Sequence, residues 1–149
     1  MYLLDTNHCS LIFPKNQSVL DYIQEVGEMN IATTIITVGE LTYMAENSSY
    51  KEENLTRIEQ FIADIRIYYV DDVTAKIYGR IKAGLIHKFG PKQKTKRQTT
   101  KITELGFDEN DVWIAAIAIR NQLTLVSADF EYFQKDKNLN NRGIVAIDL

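Results

Sequence analysis

Four acidic residues stand where an acid can do more than solvate a surface: Asp5, Glu40, Asp111 and Asp129. Asp5 directly follows the short apolar run Met1–Leu4. Glu40 lies in the segment after Asn30–Thr34. Asp111 opens the apolar run Val112–Ile119, and Asp129 stands just past Leu123–Val126. Carboxylates brought close together cannot all stay ionised unless something balances them, so a cluster takes up protons or attracts a cation. The only cysteine is Cys9 and the only histidines are His8 and His87, which is no ligand set for structural zinc. The cation such a site takes is therefore hard and oxygen-liganded, Mg2+ or Mn2+, held by a few carboxylates, water and substrate phosphate. A cation of this kind lowers the pKa of a bound water, which can then attack phosphorus in line, and a second cation would steady the leaving oxygen.

Each acid also has a plainer role open to it. Asp5 can cap a helix. Glu40 can be a solvated helix residue. Asp111, three residues after Asp108, can be the back-reaching acid of a capping box, although the helix it opens is apolar almost all round and must be deeply buried. Asp129 can be an ordinary turn residue. Their joint spacing is what points to a site.

The elements that must position them follow from the hydrophobic pattern. Met1–Leu4, Asn30–Thr34, Ile67–Val70, Leu123–Val126 and Gly143–Ile147 read as short strands. Helices are expected over 16–27, ended by Gly27, over Ile35–Glu46, through the stripe Leu55, Ile58, Phe61, Ile62 and Ile65, and from Asp71-Asp72 through Leu85. A further helix runs from Glu109 to Asn121 with Asp108 as its N-cap. Phe89–Thr103 has no apolar period and contains Gly90-Pro91, so it reads as a loop. Strands alternating with helices make a parallel sheet covered on both faces, a three-layer α/β/α arrangement over one domain, residues 1–149. Ligands of such sheets bind at the carboxyl ends of the strands. If the Glu109–Asn121 helix runs antiparallel to the strands, all four acids reach that rim.

Composition narrows the class. The chain has 149 residues, 45% hydrophobic and 25% charged, with formal net charge −3, values of a globular protein with a proper core rather than a disordered chain. The longest purely apolar run, Val112–Ile119, is too short to cross a bilayer, and the N-terminus lacks the pattern of a signal peptide. A reducing, cytoplasmic setting fits the single cysteine. Charge is uneven: Lys88, Lys92, Lys94, Lys96, Arg97 and Lys101 come with no acid among them. Lys92, Lys94, Lys96 and Arg97 are expected either to hold the phosphates of a polyanion beside the acidic site or to form a solvated loop. His8 and His87 are given ordinary structural roles, Cys9 packs as a small apolar residue, and Tyr43, Trp113 and Tyr132 are assigned to the core or a dimer interface, with base stacking as the other possibility.

Leu3-Leu4-Asp5-Thr6-Asn7 resembles the opening motif of PIN domains, in particular the VapC-like toxins of bacterial toxin–antitoxin pairs. Thr37-Val38-Gly39-Glu40-Leu41 is similar to the second motif, Asn110-Asp111 with Ile114-Ala115-Ala116 to the third, and Ser127-Ala128-Asp129 with Phe133 to the fourth. The resemblance covers essentially the whole chain. It implies a PIN-like three-layer fold with a central parallel sheet and a Mg2+- or Mn2+-dependent endoribonuclease. It assigns Asp5, Glu40, Asp111 and Asp129 as catalytic, metal-holding acids, with Thr6, Asn7 and Ser127 in support. It also implies a homodimer and inhibition by a cognate antitoxin that places a basic side chain in the acidic pocket. Ser127 departs from the more usual threonine, and Lys88–Phe107 is longer and more basic than the short turn common before the third motif.

Other classes fit less well. A haloacid-dehalogenase-like phosphotransferase wants an aspartate where Asn7 stands. A receiver domain wants an acidic pair after the first strand and a lysine after the fifth, and neither is present. A catalytically silent PIN-like module that binds RNA or protein is the non-enzymatic alternative, which loss of one of the four acids would favour. All four are present.

Overall fold

The computed structural model describes residues 1–127. Asp129, Tyr132, Phe133 and the strand expected at 143–147 lie outside the described residues. Within them, β1 (Tyr2–Leu4), β2 (Ile31–Thr34), β3 (Arg66–Tyr68) and β4 (Thr124–Val126) form one sheet in the order β3-β2-β1-β4. Every pairing is parallel: Tyr2 lies opposite both Ile31 and Thr124, Leu4 opposite Val126, and Thr34 opposite Tyr68.

Successive strand residues point to opposite faces, and both faces are covered. Leu3, Ala32 and Leu125 pack beneath α5 (Asp72–Phe89), α7 (Glu109–Asn121) and the 3-10 turn Ile102–Leu105. Leu4, Ile31 and Val126 face α1 (Thr6–Ile12), α2 (Gln17–Val26), α3 (Ile35–Glu46) and α4 (Lys51–Asp64), meeting Cys9, Leu41, Ala45 and Ile58. This is why the strands read as continuous apolar runs rather than alternating ones. The result is a three-layer α/β/α arrangement.

Local chemistry sets the element ends. Gly27, at φ 84°, ends α2 and returns its N–H to Ile23 O, a conformation a side chain would disfavour. Thr34 caps α3 through its hydroxyl, which accepts from Thr37 N. Asp108 caps α7, accepting from Asn110 N at 2.7 Å. Val112, Ile114, Ala115, Ala116, Ile117 and Ala118 are all buried, as the nearly all-round apolar pattern requires.

Helices α5 and α7 form an antiparallel pair. Arg120 at the end of α7 meets Asp71 before α5, Lys82 and Tyr78 meet Glu109, and the Phe89 ring lies 5.4 Å from Phe107. Two expectations need correction. Strand β3 ends at Tyr68 rather than Val70, because its partner β2 ends at Thr34, leaving Tyr69 and Val70 exposed beyond the sheet. The segment expected as a loop contains one helical turn, α6 (Lys94–Arg97), and then the 3-10 turn that buries Ile102. A single turn is too short to show an apolar period.

Candidate active site

The carboxyl ends of β1 and β2 open into a cleft of about 810 Å3, lined by Asp5, Glu40 and Asp111 together. Each arrives by a different element. Asp5 leaves β1 as the N-cap of α1. Glu40 sits on α3, directly after β2. Asp111 is in the first turn of α7, which runs antiparallel to the strands: its start borders the cleft, while its end feeds β4 beside Met1.

Hydrogen bonds hold the Asp5 and Glu40 carboxylates in place. Asp5 Oδ1 accepts from the backbone N–H and from Nδ1 of His8, both at 2.8 Å. Glu40 is held from both sides: the Thr6 hydroxyl donates to Oε2, and the Asn110 amide donates to Oε1 at 2.8 Å. Asn110 is 70 residues from Glu40 in sequence, so this bond ties α7 to α3 across the cleft. Thr6 and Asn7 line the cleft, whereas Ser127 is buried at the end of β4, where Asp5 N donates to Val126 O. One wall is apolar, formed by Ile35, Ile36, Tyr43 and Met44. Tyr43 is 70% exposed, which overturns the core half of its expected role and leaves the dimer-interface and base-stacking readings. Trp113 is half-buried and stacks on Tyr78 at 3.8 Å between ring centroids.

Sequence reasoning missed His8 and Asn110. His8 stands three residues after Asp5, within reach of a carboxylate at the start of a helix, and that spacing was the available signal. Nothing local reports the Asn110 contact. Next to the cleft, Glu109 bonds Lys82 and Tyr78. Burial alone would raise its pKa, but those two donors leave it below the ordinary carboxylate range. Cys9 lies beneath the site, and burial pushes its thiol up to about 12, so it offers no thiolate nucleophile at neutral pH.

None of the four basic residues lines the cleft. Lys92, Lys94 and Lys96 are exposed and Arg97 is half-buried. Their segment does leave and rejoin the fold at the Phe89–Phe107 contact, beside Asp108 on the cleft wall.

Asp5, Glu40 and Asp111, with the capping acid Asp108 also on the cleft wall, are oxygen donors suited to a hard cation. Among the described residues no three acidic, histidine or cysteine groups are close enough to enclose an ion alone.

The profile of the PIN domain matches residues 2–138. The chain belongs to the PIN domain family. Ribonuclease VapC2 of Haemophilus influenzae is 32% identical over 136 residues, 90% of each chain. The structure is similar to that of VapBC2 from Rickettsia felis bound to a DNA fragment from its promoter, with TM-score 0.76 and 25% identity over 99% of this chain and 98% of that one. It is also similar to DNA-bound VapBC from Salmonella typhimurium, with TM-score 0.74 and 26% identity over 99% and 96%. Among the described residues no helix of this PIN domain is long and apolar enough to cross a membrane.

Proposed function

We propose that this PIN domain is an endoribonuclease, the toxin of a toxin–antitoxin pair, which hydrolyses RNA phosphodiester bonds with Mg2+ or Mn2+. The observation that carries the proposal is the meeting of Asp5, Glu40 and Asp111, from three separate elements, on one cleft at the carboxyl edge of a parallel sheet. Relatives named ribonuclease and neighbours that are VapBC toxin–antitoxin complexes support it.

Asp5, Glu40 and Asp111 would hold the cation, with Asp129 as the fourth acid by its place in the motif order. When bound, the cation polarises a water and neutralises charge on phosphate. The chain's own residues supply the positioning. Thr6 and Asn110 hold the Glu40 carboxylate, His8 holds Asp5, and Asn7 stands at the cleft surface to meet substrate. Lys92, Lys94, Lys96 and Arg97 would draw RNA phosphates to the cleft end without reading sequence. A cognate antitoxin would silence the site by placing a basic side chain among the acids. Assembly as a homodimer in the cytoplasm completes the reading.

The test is cleavage of a mixed RNA pool by purified protein with Mg2+ or Mn2+, and with EDTA, beside an Asp5→Asn control. Cleavage that needs the cation and disappears in the control is expected. If wild type and control behave alike and calorimetry detects no divalent-ion binding, the domain is a silent binding module instead.

A further inference from the structure

Among the described residues, Asp5 is held through one carboxylate oxygen. Its Oδ1 accepts two hydrogen bonds from one residue, the backbone N–H and the ring Nδ1 of His8, both at 2.8 Å. The backbone bond is an N-cap contact that any residue at position 8 can make. The ring bond needs a side-chain N–H at that place. An ionised carboxylate only accepts, so Nδ1 carries the hydrogen, and the pair of donors fills the two lone-pair sites of Oδ1. Asp5 and His8 are each only 2% exposed, so the carboxylate is fixed in a packed setting although it borders the cleft.

We infer that His8 limits Asp5 to offering one oxygen, Oδ2, to a cation in the cleft, and so sets the cation preference of the site. This rests on the reading of the cleft as a divalent-cation site. Ca2+ takes six to eight oxygens in flexible geometry and commonly accepts both oxygens of one carboxylate. Mg2+ requires near-octahedral single-oxygen ligands at ~2.0–2.1 Å, and its site is tight rather than adaptable. A carboxylate with one oxygen saturated by protein donors cannot chelate, which favours the smaller ion. His8 is thus a positioning residue that acts through Asp5.

Two substitutions separate this role from simple packing. His8→Phe keeps a ring of similar shape without the N–H. His8→Asn keeps an N–H donor near the position of Nδ1. Mn2+ binding is measured by the loss of the free-ion electron paramagnetic resonance signal, with Ca2+ as competitor, and folding is monitored by circular dichroism. Wild type should bind Mn2+ with Ca2+ competing poorly. The His8→Phe protein should bind Mn2+ ~10-fold or more weakly, the usual scale for loss of an outer-shell partner, and Ca2+ should displace it more readily. The His8→Asn protein should recover most of both properties. Folded His8→Phe protein with wild-type Mn2+ affinity and wild-type discrimination against Ca2+ overturns the inference, and so does His8→Asn protein as impaired as His8→Phe. Wild type that binds neither ion removes the cation reading itself, a result distinct from either of these.

Discussion

Replacing Asn110 by alanine removes the amide that bridges α7 to Glu40, leaving Oε1 without its 2.8 Å donor. A hydrogen bond to a charged group contributes ~1.5–3 kcal/mol net. Glu40 is half-buried on an open cleft, where water can replace the amide, so the stability loss should fall near ~1.5 kcal/mol or below. For a chain of this size that is a drop of roughly 3–6 °C in Tm. Activity should suffer more. Glu40 keeps the Thr6 bond but can swing about it, and misplacement of a reacting group by ~1 Å costs on the order of 100-fold. Asn110→Asp is the sharper perturbation: it has nearly the same shape, but it sets a second carboxylate against the first. Two like charges 4 Å apart repel by ~4 kcal/mol at an effective dielectric of about 20. Stability should fall further than in the alanine protein, and the deficit should shrink as the pH is lowered, because proton uptake relieves the repulsion. Urea denaturation followed by circular dichroism gives the stabilities, and RNA cleavage rates give the activities. Asn110→Ala protein that is folded and cleaves at the wild-type rate would refute the claim that this bond positions Glu40.

Other perturbations test other levels of the structure. Ile117→Ala, in the fully buried face of α7, should cost ~2–5 kcal/mol through reduced burial and the cavity left behind. A loss under ~1 kcal/mol by urea denaturation would show that the core there is loosely packed. Asp71 is held down to about 2 from 3.8 by the Thr74 hydroxyl, then by the Thr74 N–H and Arg120. A carboxylate with a lowered folded-state pKa stabilises fully above the unfolded value and loses that contribution as pH falls through the folded one. Stability should therefore decline between pH 3.8 and about 2, and the Asp71→Asn protein should lose less over that window in an acid titration. Cys9, raised to about 12 by burial, should resist a thiol reagent at pH 8 in the folded protein and react at once in denaturant; equal rates would show that the site opens readily. Replacing Lys92, Lys94, Lys96 and Arg97 with glutamine should reduce the slope of log affinity for RNA against log salt by ~0.7 for each phosphate no longer neutralised. A slope unchanged across a salt series would assign these residues to a solvated surface.

The sequence by itself determined the four described strands and the helices α2, α3, α4, α5 and α7, because burial on both faces or on one stripe leaves a period that can be read locally, whereas the short α1 and α6 leave none. Asp108 before α7, Asp71 before α5 and Gly27 after α2 carry their capping chemistry in their own side chains or lack of one. Asp5, Glu40 and Asp111 could be placed on one edge because the parallel strands and their returning helices fix which ends face the same way. Asp129 was read by the same logic and lies outside the described residues.

What only the tertiary structure decided is which surfaces meet. The period of α7 says that its faces are buried, but not that Asn110 reaches Glu40 from 70 residues away or that Arg120 reaches Asp71. Tyr43 looks like a core residue by type, yet it stands exposed on the cleft wall, because the buried stripe of α3 passes through Thr37, Leu41 and Ala45 instead. His8 is the exception, since its contact with Asp5 is local and follows from the three-residue spacing at the start of α1. Hydrophobic periodicity is a property of one segment, whereas a contact between polar side chains depends on the relative placement of two, and that is set by the packing of the whole core.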